Sequence, residues 1–259
     1  MRQVDFGQVA YSYAKSREDI PVTLMDSLFI RNIIFDGKTV ADVGAGTGAL
    51  TRKMAMRKAN VIAVEPSIEL LEQADALNRM KNFVIPYTQG TAENTGLVES
   101  KYDIVTVMRA WHWFDRTKAI TEMKRILKAN GTLIVIDSSF LAGAIEVEKT
   151  IKVLEKFVDG GLKPAGSKKD SLQRINGFPV EWFDEWKKNS FEVRDFYKLN
   201  YTVRFTRQEW IERVESLSWL AKLDEGIRKQ ALQELDEALP EREPFLIPHE
   251  CNVCILRLV

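Results

Sequence analysis

The stretch Thr39-Val40-Ala41-Asp42-Val43-Gly44-Ala45-Gly46-Thr47-Gly48-Ala49-Leu50 constrains the fold of this chain more than any other. A short apolar run with one acid in it, Val40 to Val43, meets three glycines at alternating positions. Leu50, Met54 and Met56 follow at spacings that suit an amphipathic helix. The pattern is strand, tight turn, helix start. Glycine is required at such a turn where the backbone takes positive φ, or where another molecule approaches the space of a Cβ. The turn therefore predicts a ligand site.

The same alternation continues on both sides. Pro21 opens a helix with Val22, Leu24, Met25, Leu28 and Phe29 on its apolar face. Asn60 to Val64 reads as a second parallel strand, apolar because it is buried on both faces, and Ser67 caps the helix that carries Ile68, Leu71 and Ala74. Phe83 to Tyr87 reads as a third strand, placed at a sheet edge by Pro86. Tyr102 to Met108 and Thr132 to Ile136 are the fourth and fifth strands, with Asn130-Gly131 ending the helix between them. Beyond Asp137 come helix patterns over 145–158 and 180–188, separated by the breaker-rich stretch Asp159 to Asp170. Strand segments are expected over 191–197, 201–205 and 252–258, and helices over 207–220 and 224–239. The fold class this predicts is α/β, a doubly wound, Rossmann-like and mostly parallel sheet.

In such a sheet the first and fourth strands flank the point where strand order reverses, and their carboxyl ends open a crevice together. Arg109-Ala110-Trp111-His112-Trp113-Phe114-Asp115, just past the fourth strand, should therefore face whatever Gly44 to Gly48 hold. This loop carries one of only two histidines. Two ligand classes fit the turn. Gly44-Ala45-Gly46-Thr47-Gly48-Ala49 satisfies the dinucleotide fingerprint, and Glu65 lies about twenty residues on, where a ribose-binding acid belongs. Asp42 argues the other way, because an acid so close to the turn repels a pyrophosphate and suits a cationic ligand.

Asp42-Val43-Gly44-Ala45-Gly46-Thr47-Gly48 resembles the first motif of class I S-adenosylmethionine-dependent methyltransferases, and the aromatic loop with His112 resembles that of their small-molecule (type 11, trans-aconitate methyltransferase-like) branch. The likeness to the core runs from about residue 38 to 136. It implies S-adenosylmethionine as cofactor, S-adenosylhomocysteine as product, a small-molecule methyl acceptor, and a seven-stranded sheet with an antiparallel strand near the C-terminus and a helical cap insertion. It divides the chain into an N-terminal helical segment over the cofactor (1–35), a cofactor-binding core (36–137), a cap or lid (138–190) and C-terminal strands and helices that complete the sheet (191–259). The cofactor-binding residues it implies are Tyr13 and Arg17 in the leader; Asp42, Gly44, Ala45, Gly46 and Gly48 at the turn; Glu65, Pro66 and Ser67 after the second strand; Thr91, Ala92 and Glu93 near the adenine; and Arg109 with Trp113. Where this group often has an aspartate, the chain has Thr91.

His112 and Arg109 are the candidate catalytic residues. Methyl transfer from a sulfonium needs positioning more than acid help, and aromatic faces such as Tyr13 and Trp113 favour a cation. A carboxylate acceptor needs no base, and Arg109 would then anchor a neighbouring anion. A hydroxyl or carbon acid needs one, and His112 is placed to serve. A nicotinamide oxidoreductase and a non-catalytic cofactor-binding scaffold stand as alternatives.

Composition excludes other classes. Lys plus Arg is 37 and Asp plus Glu is 37, so no global field draws the chain to nucleic acid or to an anionic membrane. No stretch is apolar enough for a membrane span, and a cytoplasmic location is expected. Cys251 and Cys254 lie near His249, but a structural zinc needs four ligands, and residues three apart in a strand face opposite ways. No metal is expected.

Overall fold

The computed structural model describes residues 19–259, and Tyr13 and Arg17 lie outside them. A seven-stranded sheet forms the centre. Its strands are β1 (Thr39–Val43), β2 (Asn60–Glu65), β3 (Tyr87–Gln89), β4 (Tyr102–Met108), β5 (Leu127–Phe140), β8 (Phe191–Phe205) and β9 (Phe245–Leu258), in the order β3-β2-β1-β4-β5-β9-β8. β1 to β5 are parallel, and β9 runs antiparallel to both of its neighbours. β1 pairs with β2 on one side and β4 on the other, so the order reverses at its carboxyl end, where the glycine turn stands. The doubly wound sheet with its antiparallel strand is the one the sequence predicts.

Period-two alternation along the strands feeds two apolar layers. Ala41, Val43, Val105, Val107, Leu133 and Val135 face one layer, filled by Ala119, Ile120 and Met123 of α4 (Arg116–Ile126) and by Trp182 and Trp186 of α6 (Val180–Lys188). Val40, Ile104, Ile134 and Val253 face the other, where α1 (Leu24–Phe29) contributes Leu24 and Leu28, and α2 (Ala49–Met56) contributes Met54. α3 (Ile68–Met80) follows β2. A third cluster lies under the carboxyl ends of β5 and β8. It joins α5 (Ile145–Leu154), α7 (Arg207–Glu215) and α8 (Glu225–Ala238) around Trp210, Phe205 and Phe245. A two-residue hairpin, β6 (Arg174–Ile175) with β7 (Phe178–Pro179), leads into α6.

Several boundaries differ from the sequence expectation, each for a local reason. β3 starts after Pro86, whose carbonyl accepts from Ala63 N while its ring nitrogen has nothing to donate. The helix before β5 stops at Ile126, and Asn130-Gly131 forms an irregularity inside β5: Leu127 pairs with Tyr102 but Thr132 already pairs with Ile104. The expected segments 191–197 and 201–205 are one strand, because β9 pairs along all of it from Leu258 to Phe245. β9 itself begins well before Asn252, its start masked in the sequence by Pro248, His249 and Glu250. The helices expected to reach Val158 and Leu220 end sooner, at Leu154 and Glu215.

Candidate active site

A cleft of about 760 Å³ opens at the carboxyl ends of the parallel strands. One half is built by turns close in the chain. Gly44, Gly46 and Gly48 all take positive φ (69°, 57° and 76°), the conformation in which a Cβ is strained. Two of them also make room for the protein itself. A Cβ on Gly44 would lie 2.7 Å from Ala110 Cβ and 3.2 Å from the Phe114 ring, and one on Gly48 would lie 2.0 Å from the Tyr87 hydroxyl. The first glycine thus lets the loop after β4 close against the turn. Gly44 and Gly46 line the cleft, whereas Gly48 lies behind it.

Glu65 ends β2, buried, and its two oxygens accept from Gly46 N (2.9 Å) and Ser67 N (3.1 Å). Burial pushes its carboxyl pKa up, against the pull of these two bonds. Pro66 and Ser67 continue the cleft wall, and the Ser67 hydroxyl caps α3 by accepting from Leu70 N. Thr91, Ala92 and Glu93 line the next edge. Glu93 also accepts from Asp115 N at 2.8 Å, tying this edge to the aromatic loop, while the Asp115 side chain caps α4.

Asp42 is not in this wall. It is buried beneath the turn, accepting from Thr51 Oγ1 (2.6 Å) of α2 and Thr106 Oγ1 (2.7 Å) of β4. Burial raises its pKa to about 6. Ala45 lies with it on a separate minor cavity. The acid that the sequence sets toward a cationic ligand thus ties β1, β4 and α2 together.

The aromatic loop forms one turn of 3₁₀ helix, Trp111–Trp113. Trp111 packs inward against Trp186 and Phe114, each with ring centroids 5.8 Å away. His112 and Trp113 line the cleft with rings 4.9 Å apart. Arg109 also lines it, held at φ 56°.

The far half of the cleft draws on residues scattered through the chain. Asp137, Ser138 and Phe140 come from the end of β5, Lys168 and Arg174 from the segment before α6, and Arg213 from α7. Lys168 pairs with Asp137. Burial acts to raise the Asp137 pKa, but Lys168, His112 and Arg109 together hold it below the usual carboxylate range. The segment before α6 sits directly on the aromatic loop. Ser167 Oγ donates to His112 O (3.2 Å), and a Cβ on Gly166 would lie 2.1 Å from that same oxygen. Behind the wall, Asp19 pairs with Arg109 and with Arg213 Nε (3.0 Å), and its carbonyl accepts from the Tyr201 hydroxyl (2.9 Å). His249 lies 3.8 Å from Asp19 and donates from Nδ1 to Ile247 O. Burial lowers its pKa to about 4, so it adds no charge.

Sequence reasoning missed Asp19, Asp137, Ser138, Lys168 and Arg213. The position of Asp137 at the end of a parallel strand is a usable signal. Arg213 gives none, since charged residues on a helix face ordinarily point to water. Cys251 and Cys254 belong to opposite core layers, and burial pushes both thiols up, Cys251 to about 12.

Sheet order, switch-point cleft and glycine turn define a Rossmann-like protein of the methyltransferase type. Residues 41–135 match the family described as a methyltransferase domain. An uncharacterized methyltransferase of Mycobacterium tuberculosis (strain H37Rv) is 35% identical over 133 residues, 50% of each chain, so this chain spans about half the length of the first curated relatives it matches. An uncharacterized methyltransferase of Schizosaccharomyces pombe is 29% identical over 223 residues, 83% of this chain and 84% of the relative. A SAM-dependent methyltransferase from Aquifex aeolicus shares the fold at TM-score 0.56 and 13% identity, over 96% of this chain and 98% of its own. Residues 41–135 thus match a methyltransferase domain, on a fold shared with a solved SAM-dependent methyltransferase. Among the described residues no helix is long and apolar enough to cross a membrane.

Proposed function

We propose that this chain transfers the methyl group of S-adenosylmethionine to a small-molecule acceptor held in the far half of the cleft. The observation that carries the reading is the meeting of the glycine turn, Glu65 and the aromatic loop on one cleft at the switch point. Glu65 also discriminates between cofactors. A pyrophosphate needs the turn's N–H groups, and the N–H of Gly46 is already committed to this carboxylate. Each Glu65 oxygen keeps lone-pair capacity for a ribose hydroxyl. The turn therefore fits a phosphate-free nucleoside.

In this reading Gly44 and Gly46 admit the cofactor, Glu65 with Pro66 and Ser67 receives its ribose, and Thr91, Ala92 and Glu93 border its adenine. Trp113 and Arg109 face the methionine end. The bound cofactor supplies an electrophilic methyl group on a sulfonium that leaves as a neutral thioether. The chain's residues align the acceptor and exclude water, an orientation effect worth up to about 7–11 kcal/mol in favourable systems. Trp113 and the lid segment cover the line of attack. Where the acceptor must lose a proton, His112 receives it at a ring nitrogen.

Calorimetry on the full chain tests this. S-adenosylhomocysteine should bind with micromolar affinity and NAD should not, and Gly44→Val should weaken S-adenosylhomocysteine about a hundredfold or more by driving methyls into Ala110 and Phe114. Binding of NAD in place of S-adenosylhomocysteine rejects the methyltransferase reading.

A further inference from the structure

We propose that the far end of the cleft is a carboxylate-binding subsite built by Arg213 and Ser138, so that the methyl acceptor is a small molecule bearing a carboxylate on an apolar body. The acceptor assignment rests on the methyltransferase reading of the same cleft; the subsite itself rests on two side chains.

Arg213 is buried, at 1% exposure. Its Nε is fixed on Asp19, while its Nη1 meets no acceptor. Ser138 is buried at 6%, and its Oγ, beside a Tyr201 hydroxyl already committed to Asp19 O, makes no well-formed hydrogen bond. Both side chains wall the same cleft. Folded proteins leave few buried polar atoms unsatisfied, and an orphaned N–H on a charged group is among the costlier cases. A guanidinium can only donate, so whatever satisfies it must accept. Its positive charge makes an anion the better acceptor, and a carboxylate offers two coplanar oxygens, one for Arg213 and one for Ser138. Lys168, on the same wall, is balanced by its partner Asp137, which leaves the attraction for an anion to Arg213.

The surroundings fix the rest of the acceptor. The Arg213 guanidinium lies 5.7 Å from the centroid of Phe140, a cleft residue, and Leu217 and Trp219 continue that wall. Beside the two donors the lining is thus aliphatic and aromatic, which suits a hydrocarbon or ring.

The test is a titration of the full chain with benzoate, hexanoate, benzamide and inorganic phosphate, with and without S-adenosylhomocysteine. The two carboxylates should bind at least about tenfold tighter than benzamide. Arg213→Gln should cost them about tenfold or more, and Ser138→Ala about threefold to tenfold, with S-adenosylhomocysteine affinity held within about threefold. Ser138→Ala is nearly isosteric and carries the test if Arg213→Gln fails to fold. Equal affinity for benzamide and benzoate overturns the proposal. So do unchanged carboxylate affinity in the variants and phosphate binding tenfold tighter than either carboxylate. Carboxylate binding without any S-adenosylhomocysteine binding would instead sink the cofactor reading and leave the subsite standing.

Discussion

The two halves of the cleft are made in opposite ways. The half proposed for the cofactor consists of successive turns after strands, 44–48, 65–67 and 91–93, where the backbone N–H groups of residues 46 and 67 hold Glu65. The far half, the acceptor half of the proposal, is assembled from side chains of residues 137, 138, 168 and 213, with Asp19 and His249 behind them, where β5, β9 and the α5–α7–α8 cluster pack together. Backbone-built sites tolerate side-chain change and demand glycine. Side-chain-built sites depend on individual charges, each buried and each costly to strand.

Replacing Asp19 should therefore do the most damage. In Asp19→Ala the guanidinium of Arg213 keeps its buried place and loses its counter-charge, and Arg109 loses the carboxylate it pairs with. Removing one partner from a buried ion pair costs about 3–5 kcal/mol. Urea unfolding should register that loss, and Arg213→Met on top of it should recover part of it, because an apolar side chain has no charge to strand. If Asp19→Ala were as stable as the parent, the acceptor half would not be held by this carboxylate and the contrast between the halves would fail.

The same contrast explains what could be read from the sequence. The glycine turn, the ribose-side acid and the capping serine are contiguous signals, and strand order follows from the alternation of strands and helices. Within the aromatic loop, Trp111 packs inward on Trp186 and Asp115 caps α4. Asp19 was not legible, because it lies outside any periodic segment. Nor was the full length of β9, where Pro248, His249 and Glu250 interrupt an apolar run that pairs with β8 on one side and, from His249, with β5 on the other. The role of Arg213 depends on three segments that no local pattern connects.

Asp42 sharpens the comparison, since it belongs to the cofactor half in sequence and to the core in space. The free carboxyl titrates at 3.8 and the folded one at about 6. Between these values the folded state holds more protons than the unfolded one, so stability falls as pH rises through the window, by about 3 kcal/mol in total, and levels off above it. Asp42→Asn lacks this titration. The stability of the parent relative to Asp42→Asn should therefore decline from about pH 4 to about pH 7 by that amount. Affinity for S-adenosylhomocysteine should change far less than in Gly44→Val. An equal loss would move Asp42 to the ligand face.

The smallest expected effect separates backbone from side chain within a single residue. Ser67 donates its N–H to Glu65 Oε1 and, through its hydroxyl, caps α3 at Leu70 N. Ser67→Ala keeps the first bond and deletes the second, so it should cost about 1 kcal/mol of stability, the usual value of a helix cap. S-adenosylhomocysteine affinity should stay within about twofold, because Glu65 remains oriented by two backbone donors, Gly46 and residue 67. Ser67→Pro makes the complementary cut, deleting that N–H along with the hydroxyl, and should weaken S-adenosylhomocysteine by about tenfold as Glu65 loses one of its two anchors. Should alanine weaken binding as much as proline does, the hydroxyl would be a ligand contact in its own right, and the cofactor half would depend on side chains as the acceptor half does.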